Sequence, residues 1–277
     1  MTNNNLITFI TAIFFTMGLV ACGDFQKAIE VPLPAHTSRL VAECYLEEGQ
    51  PYQFLLTEST SYFAGVTLPN VPNALVTISH NQKTDTLSYS PANLDTLQKF
   101  YNYRSPRIAK FDTEKEYQLY AKDKQGREIK AKTKFKPVVK IDSIDWKFED
   151  KDIKNKKAYL LVRFKDKPQE ENFYRLTVHK SKITSRPITN FTFSDRFFGA
   201  DGAVLTGYSF AEKDTLFVTL YHIDKEYFQF LDTSRDAARA NGNPFALPSG
   251  VISNIQGGTG IFTAVSADRK QIIITKK

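Results

Sequence analysis

Leu40-Val41-Ala42-Glu43-Cys44-Tyr45-Leu46 alternates at a period of two and reads as a half-buried β-strand. Glu47-Glu48-Gly49-Gln50-Pro51 supplies a turn, and Tyr52 to Thr57 reads as the partner strand. The same grammar continues downstream. Ala74 to Ser79 alternates, with Asp85 to Tyr89 able to return beside it. Tyr117 to Tyr120 and Glu128 to Phe135 flank Lys124-Gln125-Gly126, a hairpin signature. Strands this short and regular predict sandwiches with one wet face per sheet. Ser59 to Pro72 and Asn93 to Pro106 read as loops.

Lys136-Pro137-Val138-Val139 is the best boundary, because strands end there and a proline follows. Beyond it, Ile141 to Trp146, Ala158 to Phe164, Phe173 to Val178, Phe191 to Phe193, Ala203 to Phe210 and Leu216 to Tyr221 read as strands. Ile261 to Val265 and Gln271 to Thr275 read as two closing ones. One segment breaks the pattern. Asp224 is placed to cap a helix, and Tyr227, Phe230, Leu231, Ser234 and Ala238 recur on one helical face. Asn241-Gly242 ends it. The expected fold is mostly β: two β-sandwich domains of immunoglobulin or fibronectin kind, 38–137 and 138–277, with one helix at about 224–240.

Upstream, Leu6 to Val20 is apolar but short for a spanning helix, as a signal h-region is. It closes on Leu19-Val20-Ala21-Cys22, which reads as a bacterial lipobox. Residues 1–21 are then a signal peptide, Cys22 carries lipid, and 22–37, with Pro32 and Pro34, forms a tether. Several acyl chains hold a membrane far better than one, at about 0.8 kcal/mol per buried methylene. Met1 to Asn5 has no Lys or Arg, so only the terminal amine charges the n-region. The expected location is the outer membrane, lipid-anchored, on its periplasmic or its surface face.

The body after Cys22 holds 255 residues, enough for two ordinary β domains. With Cys22 lipidated, Cys44 lacks an internal disulfide partner and reads as a buried thiol. Net charge is +7 and uneven: Lys99 to Arg186 holds 25 Lys/Arg against 13 Asp/Glu. A basic middle faces phosphorylated headgroups, acidic glycans, an acidic protein, or only water. Nucleic acid is not an expected partner of an exported, tethered chain.

No catalytic constellation appears in the sequence. His36, His80, His179 and His222 lie far apart and lack metal-ligand spacing. No serine sits in a nucleophile elbow, and Gly257-Gly258-Thr259-Gly260 lacks the lysine of a phosphate loop. Those glycines read as backbone bends, with a ligand-hugging loop as the other reading. No cofactor or metal is expected. Two aromatic segments are candidate partner contacts: Phe100, Tyr101, Tyr103 and Arg104, and the proline-stiffened Phe245 and Leu247. Packing of the same rings into the body is the alternative.

A series of segments in order resembles one family. They are Leu40-Val41-Ala42-Glu43 with Glu48-Gly49, Ala74 to Ile78, Ile141-Asp142-Ser143-Ile144, Phe164 with Asp166, and Glu171-Asn172-Phe173-Tyr174-Arg175. Ser194 to Phe198, Ile223-Asp224-Lys225-Glu226-Tyr227, Gly242-Asn243-Pro244-Phe245, Ser253-Asn254-Ile255, Gly257-Gly258 and Gly260-Ile261-Phe262 follow. Nearly the whole mature chain thereby resembles domain-of-unknown-function family 4249 (DUF4249), lipoproteins of Bacteroidota. The resemblance implies an outer-membrane lipoprotein that travels with a TonB-dependent transporter, and carries over no catalytic residue. The expected role is a non-enzymatic binding or accessory part in substrate capture or uptake, its small-molecule or glycan cargo unknown. A structural envelope lipoprotein and a glycan or peptide hydrolase are the alternatives.

Overall fold

The opening alternation becomes strand β1 (Leu40–Glu47) in a computed structural model of the chain. Leu40, Ala42, Cys44 and Leu46 are buried, while Val41, Glu43, Tyr45 and Glu47 face the other way, half-exposed. The structure describes residues 36–61, 69–91, 100–149, 156–165, 170–197, 201–240 and 250–276. The readings placed on Cys22 and its signal, on the middle of the Ser59 to Pro72 loop, on Asn241-Gly242 and on Phe245 and Leu247 lie outside them.

The chain is mostly β with one helix near its C-terminus. β2 (Pro51–Glu58) returns beside β1, and β3 (Leu75–His80) pairs with β4 (Lys83–Tyr89). β5 (Tyr103–Ile108) links β2 to β4, and β6 (Tyr117–Lys122) pairs with β7 (Glu128–Thr133). In the second half come β8 (Ile141–Phe148), β9 (Ala158–Lys165), β10 (Phe173–Lys180), β11 (Thr189–Ser194), β12 (Asp201–Leu205) and β13 (Thr215–Ile223). Helix α1 (Lys225–Ala240) and β14 (Thr259–Ile273) close the chain.

Eleven strands form one sheet in the order β11-β10-β13-β14-β1-β2-β5-β4-β3-β6-β7, and β12-β9-β8 form a second. β1, β2, β6 and β7 are separated in that order yet share one core, so the long sheet curls over on itself. Phe54, Tyr103, Tyr117 and Phe135 fill that core. A second core, with Phe164, Tyr174 and Phe210, lies between the three-stranded sheet and β10, β13 and the end of β14. The first core reaches Phe135 and the second begins at Ile141. β14 contributes to both, and residues 38–277 cluster as one unit.

Two expectations need correction. Ile261 to Val265 and Gln271 to Thr275 are not separate strands but ends of the fifteen-residue β14. Its first half pairs in parallel with β1, its second antiparallel with β13. The polar middle that looks like a break is used there. Ser266 donates to the carbonyl of Lys136, and Asp268 accepts from the Ile141 backbone N–H at 2.9 Å. The second correction concerns Asn93 to Pro106, whose end is strand β5. Pro106 has no N–H, and the β2–β5 register shifts where it falls, so it costs no ladder bond.

The segment before β14 is tied down on both sides. Gln256 exchanges backbone hydrogen bonds with Lys130 at 2.8 and 3.0 Å. The Asn254 side chain bonds both the N–H and the carbonyl of Phe262, imitating a strand neighbour. Gly257 and Gly260 are bends at positive φ, +79° and +129°. A Cβ on Gly260 would sit 1.8 Å from the Ala42 carbonyl oxygen, which is backbone and cannot step aside. Gly260→Ala is therefore expected to destabilise the fold by more than about 3 kcal/mol or to prevent folding. Thermal or urea unfolding reads this, and a variant melting within a few degrees of wild type would refute the close approach.

Candidate functional site

The wet phase of β1 builds a chemically varied surface. Glu43, Tyr45 and Glu47 project from it. Gln53 on β2, one step past the Cys44–Phe54 pair, faces the same side, and Arg104 pairs with Gln53 across the β2–β5 ladder. Asn102 sets the approach to β5. Its side-chain oxygen accepts from the Leu56 N–H at 2.8 Å, and its amide donates to the Leu56 carbonyl at 2.7 Å. Tyr101, one residue earlier, is thereby held within electrostatic reach of Glu43, Glu47 and Tyr227.

Helix α1 walls one side. Asp224 caps it, accepting from the Tyr227 N–H at 2.6 Å, while its other oxygen accepts from Thr263 at 3.0 Å and Thr133 at 3.4 Å. Tyr227 and Phe230 pack on Phe173, Ile223, Ile261 and Val265. The expected apolar face holds only for the first turns: Ala238 is exposed. Tyr227 stands 5.6 Å from the Tyr45 ring and accepts a hydrogen bond from Arg175 Nη1 at 2.7 Å. Arg175 also donates to Asn190 at 2.8 Å and lies 5.9 Å from the Tyr221 ring centroid. Tyr45 donates to Glu43 at 2.8 Å.

Burial is the main force on these phenols. It pushes Tyr45 far above its ordinary value, helped by the neighbouring Tyr227 and Glu43, and raises Tyr101 in the same way. Tyr227 is pushed up to about 12, with Arg175 opposing the shift. All three stay protonated at neutral pH. The cluster offers hydroxyl donors, a guanidinium and carboxylate acceptors, and no phenolate base. That chemistry suits recognition.

Of the residues singled out from sequence, Tyr101 and Arg104 reach this face, and Phe100 is half-buried. Tyr103 does not. It points into the first core, 1% exposed, where its hydroxyl donates to the Val71 carbonyl at 2.5 Å and accepts from the Ala74 N–H at 2.9 Å. Strand alternation decides this: with Arg104 outward, Tyr103 must turn in. Glu43, Tyr45, Gln53, Arg175 and Tyr227 were missed. The only available signal was the polar phase of the Leu40–Leu46 alternation, which reads as ordinary solvent contact.

His80 stacks on Tyr117 at 4.0 Å and meets Asp112 at 3.1 Å, and His179 bonds the Ser185 carbonyl at 2.7 Å. His222 is buried between the Pro137 carbonyl at 2.7 Å and Asn172 at 3.2 Å, and burial lowers its pKa. Among the described residues, no three His, Cys, Asp or Glu side chains converge as metal ligands. Cys44 is buried in the first core.

Burial also holds the Asp224 carboxyl above its ordinary value, with the Tyr227 N–H and the two threonines opposing. A carboxyl raised by folding stabilises the native state below its unfolded value near 3.8. That contribution is lost as pH rises through the folded value. Asp224→Asn keeps the cap oxygen and drops the charge. It is expected to match or exceed wild-type stability at pH 7, its advantage shrinking as pH falls toward 4. Asp224→Ala loses the cap and about 1 kcal/mol. Urea titrations at both pH values check this; an Asn variant as unstable as Ala at pH 7 would contradict it. Tyr103→Phe orphans the Val71 carbonyl and the Ala74 N–H and should cost about 1–2 kcal/mol, whereas a surface tyrosine would cost almost nothing; equilibrium unfolding separates the two.

No curated protein matches the chain. Among solved structures it is similar to a chain of a cytokine receptor complex (crystal form 1A), at 10% identity and a TM-score of 0.27 over 82% of this chain and 94% of that one. A likeness at that score carries no argument. The family model described as domain of unknown function (DUF4249) matches residues 26–271, and the chain belongs to that family.

Proposed function

We propose that this protein is a lipid-anchored binding or accessory protein of the outer membrane, without covalent chemistry, that partners a TonB-dependent transporter in substrate capture or uptake. The reading takes the chain as a Bacteroidota lipoprotein whose Leu19-Val20-Ala21-Cys22 directs acylation of Cys22. It takes each half of the body as an immunoglobulin- or fibronectin-like sandwich, which gives a stiff platform for a contact surface.

The observation that carries the binding role is the face beside α1, where Tyr45, Tyr101, Arg104 and Glu43 are half-buried and reach the surface in part. Tyrosine and arginine dominate interface hot spots because each combines a large apolar area with directed donors. Tyr45 and Glu43 are already oriented by their mutual hydrogen bond, and Arg175 holds Tyr227. Little side-chain entropy remains to be lost when a partner docks.

Metabolic labelling with palmitate should mark the wild-type protein and not Cys22→Ser. Mild-detergent purification of the anchored protein should recover a TonB-dependent barrel. Tyr101→Ala with Arg104→Ala should weaken that recovery by at least about tenfold. Recovery of the lipoprotein alone would count against the partnership, and unlabelled wild-type protein would remove the anchor.

A further inference from the structure

We propose that the outward face of the β6–β7 hairpin is an electrostatic landing surface for anionic lipid headgroups, set at the end of the body where the chain arrives from its tether. The inference deepens the membrane-anchored reading above and rests on it for its biological setting.

The face is defined by register. Lys122 pairs with Glu128, Tyr120 with Lys130 and Gln118 with Lys132, so all six side chains project to one side. Lys124 stands exposed at the hairpin turn, and Lys134 continues the line beyond β7. The lysines are well exposed: 46% for Lys122, 61% for Lys130 and 64% for Lys132. Two carboxylates partly offset them. Glu128 meets Lys122 at 2.9 Å and Lys130 at 3.9 Å, and Glu116 meets Lys132 at 3.2 Å. Five lysines against two carboxylates leave the face net positive. Such exposed pairs are weak and exchange readily for other anions.

The face also carries apolar groups of the kind that enter a headgroup layer. Leu75 on β3, paired with Lys122, is 49% exposed. Tyr120 lies between β3 and β7 under the Lys130 ammonium, 5.7 Å from the ring centroid. Amphipathic rings and long lysines suit the boundary between water and lipid. Lysines that only blunt a sheet edge would explain Lys130 and Lys132 on β7, but not Lys122, Lys124 or the exposed Leu75.

The tether's arrival point lies beside this hairpin. Ser38 donates to Glu58 at 3.0 Å. The other oxygen of Glu58 is bound by Arg127, which also bonds Asp123 at 2.6 Å in the β6–β7 turn. Cys22 lies 16 residues upstream of Ser38. Fully extended, that stretch spans at most roughly 53–58 Å, which lets the hairpin reach the bilayer that holds the anchor. An anionic surface attracts each nearby lysine, and the attraction fades within a Debye length.

The test uses the chain begun at Gly23, which carries neither the apolar signal nor an acyl chain, and vesicles of phosphatidylethanolamine with or without 30% phosphatidylglycerol. Co-sedimentation should be clear with the anionic lipid at low salt, lost near 0.5 M salt, and absent without it. Lys122→Gln, Lys124→Gln, Lys130→Gln and Lys132→Gln together should weaken binding at least about tenfold. The melting temperature should not move, because these side chains are exposed. Leu75→Ser should weaken it further at unchanged charge. Equal binding to both vesicle types, an unaffected quadruple variant, or full competition by millimolar inorganic phosphate would overturn the proposal. Because the assay lacks the acyl chains, its failure leaves palmitate labelling of Cys22 untouched, and the reverse holds.

Discussion

The fold depends on a parallel seam between its first and last strands. β1 and the first half of β14 lie side by side from Val41–Thr259 to Glu47–Val265. A parallel pair cannot be closed by a tight turn, and here the whole intervening chain serves as the connection. The seam forms only if two backbones approach at Ala42 and Gly260, where a side chain on the glycine would collide with a carbonyl. No local contact substitutes for that approach. The two cores are joined by one strand common to both.

The second half of β14 does the joining. Its side chains reach the linker as well as neighbouring strands: Ser266 at Lys136, Asp268 at Lys140 and Ile141, and Lys270 at the Asp142 carbonyl at 3.2 Å. His222 on the adjacent strand bonds the Pro137 carbonyl. Backbone groups that a connecting segment would otherwise leave to water are taken up by side chains of the second half. The linker is thereby a fixed part of the body along its length.

The same seam places the surface to which we assign recognition. The outward side of β1 belongs to the first half, and α1 follows β13 in the second. Parallel pairing lays Ile261 and Thr263 beside Glu43 and Tyr45, and α1 packs over Ile261 and Val265. Tyr227 then meets Tyr45 although 182 residues separate them, and Arg175 fixes the Tyr227 hydroxyl. Groups distant along the chain become one cluster because a single strand pairing carries the helix to the first half.

The sequence by itself determined the strands whose alternation is clean, the capped helix, the mostly β class and the family. Period-two burial and a carboxylate facing free N–H groups are local effects, legible within a few residues. It misread β5, where a proline stands in a strand, and split β14, where polar residues stand in a strand. In both, the partners that make the polar or donor-poor residue acceptable are far away in the chain. Tyr103 shows the same limit: Phe100, Tyr101, Tyr103 and Arg104 look equivalent in a row, and only the β2–β5 register decides which ring is core and which is surface. Tertiary structure alone decided the parallel seam, the one sheet shared by both halves and the cluster around Tyr45, because each rests on a pairing between residues that no local pattern connects.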